Sequence, residues 1–173
     1  MPTPSRETVI DGYNLIHKLW HPGKGATMAP LREHLETLLS AYRQAARRHV
    51  TVVYDGGPRH RSLSSSGAIE VVFSGSGATA DSRIVDHVRA LQSRAALVTV
   101  VTSDMEIRRH IIAWGASWTS SETFITELEK LGIRSKEGFG KKRPDEAASV
   151  KHSTNPLSDG EVARWMKLFG GSG

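Results

Sequence analysis

The chain has 173 residues, 38% of them hydrophobic and 24% charged, enough for one well-packed soluble domain and too few for two full ones. It contains no cysteine, so disulfides, thiolate zinc sites and cysteine nucleophiles are all excluded. Lysine and arginine number 23 against 18 aspartate and glutamate, and the net charge of +5 favours a polyanionic partner such as nucleic acid. No apolar run approaches the roughly 18–20 residues needed to cross a bilayer. The opening "MPTPSRETVID" has no apolar leader, so no membrane association and a cytoplasmic location are expected.

In chain order, Val9 and Ile10 predict a short strand that ends at Asp11. Residues 30–49 place Leu31, Leu35, Leu38, Leu39 and Tyr42 at helical spacing, with Pro30 in the first turn and Arg47, Arg48 and His49 at the C-terminal end of the dipole. "VTVVY" (50–54) predicts a strand buried on both faces, residues 56–67 a loop rich in Gly, Pro and Ser, and "AIEVVF" (68–73) a further strand. The text then turns into a helix with Ile84, Val88 and Leu91 on its apolar face. "ALVTVVT" (96–102) predicts a buried strand and "MEIRRHIIAWG" (105–115) a helix closed by Gly115. "ASWTS" (116–120) predicts a short strand, and 121–131 a helix using Phe124, Leu128 and Leu131. Strands alternating with helices imply an α/β domain with a mainly parallel sheet over residues 1–134. Residues 135–173 are expected to form a basic extension with a short amphipathic helix, "DGEVARWMKLF" (159–169).

Asp11, Asp55 and Asp104 each follow the carboxyl end of a predicted strand, where ligands bind in open parallel sheets. Asp81 opens a helix at the same rim. Clustered carboxylates repel one another and persist most easily around a cation. Oxygen donors alone point to Mg²⁺ or Mn²⁺, ions suited to phosphoryl chemistry. Plainer roles compete. Asp81 could cap its helix, although Thr79 stands just before it. Asp104 could do the same, although Ser103 and Glu106 have capping-box spacing that would leave it free. Asp55 precedes two glycines and could serve only a turn, and Asp86 is at most a peripheral ligand. Phosphate contacts could come from Lys18, in a loop with His21, Lys24 and Trp20, from Arg59, His60 and Arg61, and from Arg108 or Arg109. Trp20 could stack on a base or pack against the domain edge. Trp114, Trp118 and Trp165 read as core or docking residues, and the run Lys141, Lys142, Arg143 as solvated tail.

The stretches "VIDGYNLI", "GSGATADSRI" and "VVTSDMEIRRHI" together resemble the YacP-type NYN family of PIN-like ribonucleases, in order and spacing over roughly residues 8 to 131. The resemblance implies a PIN-like three-layer α/β/α sandwich and metal-dependent endonucleolytic cleavage of RNA, single-stranded by expectation. It implies Asp11, Asp81 and Asp104 as the acids around Mg²⁺ or Mn²⁺, with Asn14 beside them. The RNA would be mRNA, tRNA or rRNA, free or presented by the ribosome. Relatives often carry a further acid near the helix aspartate, where this chain has Ser82 and Val85. That departure keeps open an alternative, a non-catalytic RNA-binding module with the same fold. A phosphoacceptor receiver domain would need a paired acid beside Asp11 and a lysine at the last strand end; a haloacid-dehalogenase phosphatase would need D-x-D. The chain has neither pattern.

Overall fold

The computed structural model describes residues 6–64 and 67–134, with residues 58–61 as backbone only. The expected extension 135–173 and its helix at 159–169 lie outside the described residues. The elements are β1 (Glu7–Asp11), α1 (Gly12–Trp20), α2 (Met28–Ala46), β2 (His49–Tyr54), β3 (Gly56–Leu63), β4 (Glu70–Gly75), α3 (Ala80–Leu91), a 3-10 turn (Gln92–Leu97), β5 (Val98–Val101), α4 (Met105–Ala113), β6 (Ser117–Thr119) and α5 (Ser121–Lys130). They build a six-stranded sheet in the order β3-β4-β2-β1-β5-β6. Every neighbouring pair is parallel except β3 with β4.

Side chains alternate across each strand, and the two faces build two cores. Ile10, Val52, Tyr54 and Val101 pack with the buried residues of α1, α2 and α5. Val9, Val53, Val98 and Val100 pack with those of α3 and α4. The result is the expected three-layer α/β/α sandwich. Because β1, β2, β4 and β5 run parallel, their carboxyl ends share one rim, and Asp11 stands opposite Val53 there.

Several expectations need correcting. Residues 12–20, read without an element and with Lys18 and Trp20 in a loop, form α1. Its cap is Asp11 itself, whose carboxylate accepts the Asn14 N–H, and His21 closes it in a left-handed conformation at φ 46°. The stretch 56–67, read as a loop, supplies strand β3, which pairs antiparallel with β4. Its sequence, "GGPRHRSL", has little strand propensity, so the partner strand decides its conformation. The first long helix stops at Ala46, because Arg47 turns left-handed at φ 52° and His49 already belongs to β2. Leu131, placed on an apolar helix face, follows α5 and is 43% exposed. Among the described residues no helix is long and apolar enough to cross a membrane.

Candidate functional site at the sheet rim

Asp11 ends β1 and is only 8% exposed. Its Oδ1 accepts the Asn14 N–H at 3.2 Å, and its Oδ2 accepts the Thr102 hydroxyl at 3.4 Å. The Thr102 oxygen, wholly buried, in turn accepts the Asp104 N–H at 3.1 Å. One hydroxyl therefore links the first carboxylate to the loop that presents the second. Burial pushes the Asp11 carboxyl up to about 6, and the negative charges of Asp81 and Asp104 add to that rise. The Asn14 and Thr102 donors pull the other way but do not cancel it.

Asp81 lies exposed in the first turn of α3. It is not the cap: Thr79 and Ser82 form a reciprocal capping box there, both contacts 3.1 Å long. Partial burial raises the Asp81 carboxyl, as do the charges of Asp104, Asp55 and Glu106. Asp104, by contrast, does cap its helix. Its Oδ1 accepts the Glu106 N–H at 2.7 Å and the Ile107 N–H at 3.4 Å. The expected capping box from Ser103 does not form: the Ser103 hydroxyl oxygen accepts the Ser121 N–H at 3.1 Å, and its proton goes to Glu122 Oε2 at 2.5 Å. Asp104 nevertheless keeps its second carboxylate oxygen outside the cap. Asp55 fastens a turn: its Oδ1 accepts Gly56 N–H at 3.1 Å, the Ser74 hydroxyl at 3.0 Å and Ala80 N–H at 3.2 Å.

Asn14 joins three segments. Its side-chain oxygen accepts the Ser103 N–H at 3.0 Å and the Ser121 hydroxyl at 2.7 Å, tying α1 to the loop before α4 and to the start of α5. Lys18 points across to Glu122, with Nζ 2.7 Å from Oε1, and both side chains are largely exposed. Glu122 is held down to about 2 by hydrogen bonds from Lys18 and Ser103. The Arg108 guanidinium stands 4.4 Å from the Trp118 ring centre, and the Trp118 indole donates to the Thr102 carbonyl at 2.9 Å. Arg59 and Arg61 lie on edge strand β3, Arg61 opposite Val72, with their side chains outside the description. Trp20 is 4% exposed and packs 5.2 Å from His34, which rules out stacking on a base. Thr102 and Glu122 have no part in the sequence reading, and Glu106 enters it only as the capping-box partner of Ser103. Glu106 and Glu122 both carry a signal, each an acid in the first turn of a helix that starts at the same rim.

Among the described residues no three His, Asp or Glu side chains stand close enough together to hold a metal ion. The donor chemistry at the rim nonetheless fits a hard divalent cation. The acids that sense one another's charge, Asp11, Asp81 and Asp104, offer oxygen alone.

The family model for the YacP-like NYN domain matches residues 8–170. Among similar solved structures is a tryptophan-to-leucine variant of Rae1 (YacP) from Bacillus subtilis, 26% identical, with a TM-score of 0.61, covering 73% of this chain and 77% of that one. A second structure of Rae1 (YacP) from the same organism is 24% identical, with a TM-score of 0.60 over 93% of this chain and 88% of that one, and supports the fold. No curated protein matches the chain. The family match over most of the chain, on a three-layer fold shared with these structures, makes this protein a member of the YacP-like NYN domain family of PIN-like ribonuclease domains.

Proposed function

We propose that the protein is a metal-dependent endoribonuclease that hydrolyses phosphodiester bonds in single-stranded RNA, with Asp11, Asp81 and Asp104 around a Mg²⁺ or Mn²⁺ site. One observation carries the reading: a buried carboxylate at a strand end is pushed up to about 6 by burial and by two acids from separate elements. Such a carboxylate gains most from a nearby cation. The cation would lower the pKa of a water and offset charge on the leaving oxygen. Asn14 and Thr102 fix the orientation of Asp11, and Thr102 keeps Asp104 in register with it. Arg108, supported on Trp118, presents guanidinium N–H groups to a phosphate. Lys18 would exchange Glu122 for a phosphate, and Arg59 and Arg61 extend the basic edge along β3. The substrate would be a cytoplasmic mRNA, tRNA or rRNA, free or held on the ribosome.

A second reading, a non-catalytic RNA-binding module, draws on the absence of a metal-ready acid trio among the described residues. The two separate in a cleavage assay on labelled single-stranded RNA. With Mg²⁺ or Mn²⁺ the wild type is expected to cut, while EDTA and Asp81→Asn each lower the rate about 100-fold or more. Cutting that survives Asp81→Asn would move the site elsewhere. Binding without cutting would favour the module.

A further inference from the structure

A cationic feature lies on the other face of the same rim. Arg32, in the second turn of α2, donates from Nη1 to the Tyr13 hydroxyl at 2.9 Å. Its guanidinium carbon stands 5.8 Å from the Tyr54 ring centre and 5.5 Å from that of Phe73. The rings themselves form a continuous row, Tyr13 to Tyr54 at 5.2 Å and Tyr54 to Phe73 at 5.4 Å. Tyr54 ends β2 and Phe73 is its partner on β4, so this row lies at the carboxyl ends of the strands. Tyr13 is two residues past Asp11. Tyr54 belongs to the core under α1 and α2, whereas α3, which carries Asp81, and α4, which Asp104 caps, pack on the other core. A strand of RNA crossing the rim at Asp11 would meet both.

Arg32 is half-buried, and among the described residues no carboxylate pairs with it at salt-bridge distance. Glu36, one turn on, feels its charge, which offsets part of the rise that burial imposes on the Glu36 carboxyl. Charged side chains withdrawn from water are usually paired with an opposite charge. Here the guanidinium is oriented by one hydrogen bond and two aromatic faces, which uses one of its five N–H groups and leaves the planar fork in place. A packing role alone would not need the charge. We infer that Arg32, aimed by Tyr13 and backed by Tyr54 and Phe73, is a phosphate-binding residue that grips RNA on the face of the rim opposite Asp81 and Asp104. The inference rests on the RNA-acting reading above and adds a contact for the same substrate.

The test is equilibrium binding of a fluorescein-labelled single-stranded RNA to the full-length chain in EDTA, by anisotropy, across about 50 to 200 mM salt. Working without metal separates grip from catalysis. Arg32→Gln is expected to weaken binding about 3- to 10-fold and to reduce the slope of log affinity against log salt by about 0.7, the share of one single-strand phosphate. Arg32→Lys keeps the charge and loses the fork, so it should weaken binding severalfold at an unchanged slope. A role in packing alone would lower the melting temperature of Arg32→Gln and leave affinity and slope at wild-type values, and that result overturns the inference. Should Arg32→Gln not fold, Arg32→Lys decides, with wild-type affinity as the overturning outcome. Absence of salt-dependent RNA binding in the wild type would overturn the RNA-acting reading as well, so the two failures are distinct.

Discussion

Replacing Asp11 with asparagine should make the metal-free protein more stable at alkaline pH while abolishing RNA cleavage. The carboxyl titrates at about 6 in the fold against an ordinary 3.8, so the folded chain holds this proton more tightly than the unfolded chain does. Folded stability therefore falls as pH rises from about 4 through 6, and the full penalty is present above that range. The gap corresponds to roughly 3 kcal/mol at most. Asparagine carries no charge to bury and can still accept the Asn14 N–H, so Asp11→Asn removes much of that penalty. Unfolding in urea with EDTA should show the variant ahead by about 1–3 kcal/mol near pH 8, with the advantage shrinking as pH falls towards 4. A variant no more stable than wild type near pH 8 would mean that the buried charge is compensated by protein groups, not held for a cation.

Gly12→Ala should be among the most damaging single-methyl substitutions in the chain. A Cβ there would stand 2.9 Å from Val52 Cγ2 and nearer still to the Tyr54 ring, closer than real Cβ contacts come. Neither neighbour can give way. Val52 and Tyr54 are fully buried, and Tyr54 is hemmed in by the Tyr13 and Phe73 rings. The expected loss is about 3 kcal/mol, in the upper range for overpacking. Because Gly12 follows Asp11 directly, any backbone shift that relieves the clash also moves the carboxylate. Thermal unfolding checks the first effect and cleavage rate the second. A variant with unchanged melting temperature would show that Tyr54 has more room than its packing implies.

Gly12 also illustrates what a sequence conceals. The sequence assigns Gly12 to no element, yet the glycine is helical and is required by close approach to β2. The buried strands were legible because runs such as "VTVVY" and "ALVTVVT" carry their own β-branched pattern. β3 was not, since its conformation is borrowed from β4 across the hairpin. α1 was missed because its first turn coincides with the motif, and Asp11 serves both as strand end and as helix cap. Asp11, Asp55 and Asp104 at the rim follow from strand direction, and Asp81 from the helix that starts there. Their fastening does not, because it depends on partners far apart in the chain. Asn14 meets Ser103 across 89 positions, and Thr102 meets Asp11 across 91. At the start of α4, serine and aspartate are equally good caps on paper. The choice of Asp104 goes with the start of α5, where the Ser121 N–H and Glu122 engage the Ser103 hydroxyl, and with the Thr102 oxygen that holds the Asp104 amide.

The most direct measurement is a calorimetric titration of Mn²⁺ into the metal-free full-length chain at about neutral pH, with wild type, Asp11→Asn and Asp104→Asn side by side. The expected result is saturable binding by wild type that Asp11→Asn abolishes and Asp104→Asn weakens about tenfold or more. Binding that persists undiminished in Asp11→Asn, or no binding by wild type, would contradict a cation held at this rim.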